Sequence, residues 1–263
     1  MSQRNSLANK AAAREKLREQ REKDAKRSKV RRQVVVGVGV VALLAVAGGV
    51  AVAVNQMNKP GYWSDAAKKP LVQPANTSGT NGSTIVVGDK NNKNNLDLYE
   101  DLRCPACAQL EQTQGAAILQ GEQAGKYKIT YHFGDFLDDR LKGTGSKNAL
   151  SAVGAAVNVS TDAFVQFHTL LYSTAHHPDE SGPDLFASDS HVLSIADLVP
   201  ALKSNTAFQT AVKNGTYDKW ALDSADAFNK AGIQATPTIV FNGKQLTADN
   251  VTSEIDQALG AKK

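Results

Sequence analysis

The only two cysteines of this 263-residue chain stand three positions apart, in Cys104-Pro105-Ala106-Cys107, where a strand-like run gives way to a helix-like one. A bridge across so short a loop removes little entropy from the unfolded chain, so the fold needs a hydrophobic core rather than a staple. With 41% hydrophobic residues the chain can build one. At the first turn of a helix a thiol faces unpaired backbone N–H groups and the positive end of the helix dipole, which stabilise the nucleophilic thiolate. The pair therefore reads as an exchangeable redox centre that cycles between dithiol and disulfide.

Charge divides the chain. Residues 1–33 hold twelve Lys/Arg against four Asp/Glu, whereas the remainder is net acidic, so the formal charge of +4 belongs to a tail. Val34 to Val54 then runs for 21 residues without a charge, which at ~1.5 Å per helical residue matches a bilayer core of about 30 Å. The basic cluster ending in Arg31-Arg32 favours retention on the cytoplasmic side, which places the residues after 54 outside the cytoplasm, where thiols oxidise. A cleavable signal peptide is the alternative, but its apolar stretch would be shorter. The expected organisation is a basic cytoplasmic tail (1–33), a transmembrane helix (34–54), a flexible linker rich in Pro, Asn, Ser and Gly (55–83) and one domain (84–263). The topology signal accounts for the basic charge, and no nucleic-acid partner is expected.

Within the domain, Thr84–Gly88 and Leu96–Tyr99 have strand character, Ala106 to about Ala124 reads as a helix with Cys107, Leu110, Ala117 and Leu119 on its buried face, and Tyr127–Phe133 alternates as a third strand. From about Leu137 to Lys230 the pattern is helical, in pieces at Asn148–Val157, Ala163–Tyr172, Ile195–Leu202, Ala207–Asn214 and Lys219–Lys230. Thr238–Phe241 returns to strand, Asn242-Gly243 predicts a tight hairpin into Lys244–Thr247, and Asp249 or Asn250 can cap a last helix. The order β, β, α, β, helical block, β, hairpin, β, α describes an α/β fold with a helical insertion.

The stretch Tyr99-Glu100-Asp101-Leu102-Arg103-Cys104-Pro105-Ala106-Cys107, together with Gln234-Ala235-Thr236-Pro237-Thr238-Ile239-Val240-Phe241-Asn242-Gly243-Lys244, resembles the DsbA-like branch of the thioredoxin superfamily, in its membrane-anchored actinobacterial form. The resemblance covers roughly residues 84–263. It implies a thioredoxin-like fold, a mixed central sheet flanked by helices, with the helical domain inserted at about 137–230. It also implies that Pro237 is cis and packs against the Cys-Pro-Ala-Cys turn, that Thr236 offers backbone polar groups to an extended substrate, and that Cys104 is the exposed nucleophile and Cys107 the buried resolving thiol. The implied activity is disulfide formation in exported cysteine-containing proteins. No cofactor is implied, and the implied partner is a membrane quinone-linked reoxidant, DsbB-like or vitamin K epoxide reductase-like.

Two departures bear on the chemistry. Many relatives place a buried acid six residues before the nucleophile, where this chain has Leu98, with Asp97 on the opposite face. Glu100 and Asp101 could take the Cys107 proton instead, against the plainer reading of hydrated or hydrogen-bonded loop residues. Ala106 replaces the histidine of strongly oxidising relatives, which leaves an exposed Arg103 as the neighbouring charge that could tune Cys104. A reductase or isomerase is the competing enzyme reading, and a non-catalytic thioredoxin-fold binding module the competing reading of another class. Metal binding is not expected, because one Cys pair and dispersed histidines do not make the four ligands of a structural zinc site.

Overall fold

Period-two burial builds the centre of the sheet. In β2 (Thr84–Val87) Ile85 and Val87 point inward, and in β3 (Asn95–Asp101) Leu96, Leu98 and Glu100 share the buried face. The computed structural model describes residues 61–260. The expected tail, the expected span and residues 55–60 lie outside the described residues, and among the described residues no helix is long and apolar enough to cross a membrane.

The chain enters through a short helix, α1 (Tyr62–Ala66), and a two-residue strand, β1 (Thr77–Ser78). After β2 and β3 come α2 (Pro105–Leu110), a π turn at Glu111–Gly115 and α3 (Ala116–Gln123), which together form one long helix with a wide turn inside it. Strand β4 (Lys128–Gly134) pairs parallel to β3. The insertion follows as α4 (Phe136–Leu141), α5 (Gly145–Val159), α6 (Thr161–Tyr172), α7 (Asp189–Ala196), α8 (Thr206–Lys213) and α9 (Asp218–Lys230). The hairpin of β5 (Thr238–Phe241) and β6 (Lys244–Leu246) and a final α10 (Val251–Gly260) complete the fold. Strand order is β1-β2-β4-β3-β5-β6, antiparallel except for β3–β4. Asn242 and Gly243 both take positive φ, 50° and 84°, as the tight hairpin requires.

Three expectations need correction. First, residues 61–83 are not a free tether. β1 adds to the sheet through Thr77 and Ser78, the Trp220 indole donates to the Gly82 carbonyl at 2.8 Å, and Tyr62 Oη donates to buried Asp218 at 2.8 Å. The polar composition is satisfied by backbone and side-chain hydrogen bonds rather than by water alone. Second, the helix expected at Ile195–Leu202 lies at Asp189–Ala196, because Ser188 Oγ accepts from His191 N at 3.4 Å and starts it earlier. Third, the π turn shifts the buried face after Leu110, so Gly115 and Ile118 are buried while Ala117 is exposed.

The core of the insertion is small-residue packing against aromatics. α5 is buried along most of its length, and a Cβ on Gly154 would come within 2.7 Å of the Trp220 ring, so glycine there sets how closely α9 approaches. Because Tyr62 seals a buried carboxylate, Tyr62→Phe should destabilise the domain by about 1–3 kcal/mol in urea unfolding. No measurable change would show that residues 61–83 are dispensable to it.

Candidate active site

Cys104 is the N-cap of α2, with extended backbone (φ −74°, ψ 118°) and Pro105 at the first helical position, where a missing N–H is harmless. Its carbonyl starts the helix by accepting from Ala108 N at 3.0 Å. Cys107 lies one turn in and is fully buried, whereas Pro105 and Ala106 are exposed and form the rim. Both thiols are free. Cys104 was expected to be exposed, yet it retains only 6% of its surface. The loop across from it covers it: Thr236-Pro237 is a cis peptide, and the Thr236 carbonyl accepts from Cys104 Sγ at 3.5 Å. The antiparallel pairing of β5 with β3 carries that loop there, through Leu98 opposite Ile239 and Tyr99 opposite Thr238.

The two thiols have opposite electrostatics. The Cys104 thiol is lowered to about 6, first because Cys107 hydrogen-bonds its sulfur, against a burial penalty, with smaller contributions from Thr236 and the backbone N–H groups of Cys107 and Ala106. Burial pushes the Cys107 thiol well above its ordinary value, and the charges of Glu100 and Cys104 push the same way. Cys104 is therefore a thiolate at neutral pH and Cys107 a thiol.

Arg103 does not sit exposed beside Cys104. It is 7% exposed, and its guanidinium is held by Asp138 (Nη1–Oδ1, 2.9 Å) and Asp184 (Nε–Oδ1, 3.2 Å). Those carboxylates also accept the backbone N–H groups at the start of α5, from Ser146 and Lys147 on Asp138 and from Thr144 and Gly145 on Asp184. Asp101 joins the same cluster. It accepts from Arg103 N at 2.9 Å, Leu137 N at 3.1 Å and Ser146 Oγ at 2.6 Å, and burial raises its carboxyl to about 7. It is a hydrogen-bonded strand residue that joins the turn before Cys104 to the insertion.

Glu100 is neither hydrated nor in a loop. It occupies the core face of β3 two residues after Leu98, and its Oε2 lies 2.8 Å from His168 Nε2. Glu111 reaches the same place from the π turn, where a Cβ on Gly115 would come within 2.5 Å of its Oε2. Burial raises both carboxyls and lowers His168. Glu100, Glu111 and His168 each place one donor atom within 4.8 Å of the others, one short of the four donors of a structural zinc site. Glu111 lies four residues after Cys107, on the same helix face, a spacing legible in the sequence; His168 carried no such mark.

This arrangement pairs a stabilised thiolate at a helix start with a buried thiol one turn on, beneath a cis-proline loop. The thioredoxin family model, described as Thioredoxin, matches residues 80–261. The chain belongs to the thioredoxin family. It carries a single Cys-x-x-Cys pair, Cys104 and Cys107, both free. Its fold is similar to DsbA from Mycobacterium tuberculosis in the reduced form (22% identity, 72% of this chain, 91% of that one, TM-score 0.56). It is also similar to MdbA, a thiol-disulfide oxidoreductase from Corynebacterium diphtheriae (20%, 73% and 98%, 0.54), and to oxidised BdbD from Bacillus subtilis (19%, 72% and 100%, 0.57). No curated protein matches the chain at a significant level.

Two measurements check this thioredoxin-family site. Alkylation of the reduced protein should modify Cys104 with a rate half-maximal near pH 6, while Cys107 stays unmodified in the folded state; a midpoint at an ordinary thiol value would refute the assigned asymmetry. Arg103→Met takes the guanidinium from Asp138 and Asp184, leaving Asp138 only Lys147 Nζ at 3.7 Å, and should cost roughly 3–5 kcal/mol of stability in denaturant unfolding.

Proposed function

We propose that this protein forms disulfides in exported proteins, acting outside the cytoplasm and held to the membrane by residues 34–54. The observation that carries the reading is the asymmetric thiol pair: Cys104 is stabilised as a thiolate at the start of α2, and Cys107 is held as a thiol in the core. A stabilised thiolate is a good leaving group and favours the reduced form of the enzyme, so the pair tends to give its disulfide away. The uncharged run Val34–Val54 behind a basic tail supports the extracytoplasmic placement.

The exchange runs in two steps. A substrate thiolate attacks Cys104 Sγ, the Sγ–Sγ bond breaks, and Cys107 takes the electron pair. A second substrate thiolate then attacks the substrate sulfur of the mixed disulfide, and Cys104 leaves as a thiolate that needs no proton at neutral pH. The exposed Pro105-Ala106 rim and the Thr236-Pro237 loop frame the approach, and the Thr236 backbone offers an extended substrate main-chain contacts that tolerate many sequences. Return of the dithiol to the disulfide calls for a quinone-linked membrane partner, DsbB-like or vitamin K epoxide reductase-like.

Replacing Cys107 with Ser should trap exported cysteine-containing proteins on Cys104 as mixed disulfides, identified after isolation from cells. An absence of such adducts would sink the proposal. Ala106 supplies no side-chain donor to the thiolate, and a thiol near 6 falls between thioredoxin at about 7 and DsbA at about 3.5. The reduction potential should accordingly fall between about −270 and about −120 mV, and a value at the upper limit contradicts a milder oxidant.

A further inference from the structure

Two acids are buried in the core with no permanent cation beside them. Glu100 comes from β3 and Glu111 from the π turn, and among the described residues His168 of α6 is the one basic group that either reaches. The side chains of Glu100, Glu111 and His168 are 0%, 6% and 2% exposed. Glu100 Oε2 lies 2.8 Å from His168 Nε2, and Glu111 Oε2 lies 4.0 Å from His168 Nδ1. Burial lowers His168, so its imidazole is neutral and does not balance two carboxylates. Glu100 Oε1 and Glu111 Oε1 have no hydrogen-bond partner at all. The Asp138 and Asp184 carboxylates, by contrast, have the Arg103 guanidinium between them.

The donors form a metal-ligand set by type and by spacing. Two carboxylate oxygens and one imidazole nitrogen, one atom from each residue, all lie within 4.8 Å of one another. Donors on one tetrahedral zinc, each about 2.0–2.1 Å from it, stand about 3.3 Å apart, so movements of about 1 Å by the side chains close the set. A local backbone feature turns Glu111 inward. The π turn Glu111–Gly115 widens the helix, and Gly115 leaves the space that a Cβ would take 2.5 Å from Glu111 Oε2. Single π turns of this kind recur at functional sites. Around His168 the rings of Tyr131, Phe133, Phe164 and Tyr172, with centroids 4.9–5.9 Å away, fix the imidazole and keep water out.

We propose that Glu100, Glu111 and His168 form a binding site for one divalent transition-metal ion of the zinc type. The charge of the ion balances both carboxylates, and the unpartnered Oε1 atoms complete the coordination that three donors leave open. An imidazole among the ligands favours zinc over calcium or magnesium, whose sites are built of oxygen. Counting cysteines and histidines alone misses this site, because two of its three ligands are acids. Binding displaces the protons that burial keeps on the carboxyls, and no electron moves. With so little of the three side chains exposed, the ion enters as the chain folds and acts on stability.

The test uses the full-length protein with Cys104 and Cys107 joined as the disulfide, so that neither sulfur can bind metal. The protein is unfolded in urea, refolded with a slight excess of zinc chloride and dialysed, and the retained metal is counted. Wild type should retain one zinc per chain, melt at a higher temperature than the metal-free protein and release protons into weak buffer at neutral pH. Glu111→Gln and His168→Gln should each weaken binding by more than the roughly 100-fold that changes outside the ligand shell cost, which leaves the dialysed protein empty. X-ray absorption at the zinc edge should show oxygen and nitrogen neighbours with one imidazole, a readout that needs no variant to fold. Wild type that retains no zinc overturns the site. So does zinc held undiminished by a folded His168→Gln protein, or a shell of several imidazoles, which would put the ion on other histidines. Trapping by Cys107→Ser is indifferent to these results, so the proposed function stands or falls separately.

Discussion

The buried guanidinium of Arg103 holds the redox turn and the helical insertion together. The guanidinium sits between the carboxylates of Asp138 and Asp184, with Asp101 beside it and Lys147 Nζ 3.7 Å from Asp138 Oδ2, in a place where each ion loses most of its hydration. Such a group is stable only when its remaining lone pairs are filled. The N-terminus of α5 fills them, offering N–H groups of Thr144 through Lys147 with the positive end of a 15-residue helix behind them. The residue immediately before Cys104 is therefore clamped to the first turn of the longest insertion helix. Gly143 and Gly145 permit the approach, since a Cβ at either would collide with Asp184 or Arg103. An insertion joined this way is part of the active site's support rather than a separate appendage.

With the turn fixed, the asymmetry of the thiols follows from depth. Cys104 sits where β3 ends and α2 begins, within reach of N–H groups that stabilise an anion. Cys107, one turn on, is fully buried, and a backbone hydrogen bond to Asp101 does not offset the hydration an anion there would lose. The fold places acids in that dry region at the cost of burying them, which is why their carboxyls are raised.

The strand and helix order was legible because alternation and capping are local, and most of the insertion's helices followed from their periodicity, whereas α7 begins six residues before the expected start and α4 was not read as a separate helix. The same parity argument that put Asp97 on the outer face of β3 also puts Glu100 on the inner one, beside Leu98, so its burial was readable from spacing by two. Glu111 was readable as the residue four after Cys107. What spacing could not supply was His168, brought in from a helix more than sixty residues away, or the partners of Arg103, whose burial depends on Asp138 and Asp184 arriving from two other segments. Residues 61–83 looked like a tether because polar composition does not reveal that Trp220 and Asp218 lie waiting to bond them.

The nucleophile and the core behind it are then one electrostatic unit. The largest contribution lowering Cys104 is the hydrogen bond from Cys107, which exists only while Cys107 keeps its proton. Ala106 adds no side-chain donor, so nothing between the cysteines substitutes for that bond beyond backbone N–H groups. Cys107 keeps its proton because burial opposes its ionisation, and the Cys104 thiolate beside it opposes it further. The poise of Cys104 is accordingly set from beneath, by how dry and how protonated the region around Glu100, Glu111 and His168 remains. In a chain whose exposed dipeptide is Pro-Ala, it is this buried region, more than the rim, that sequence change would have to alter in order to retune the thiolate.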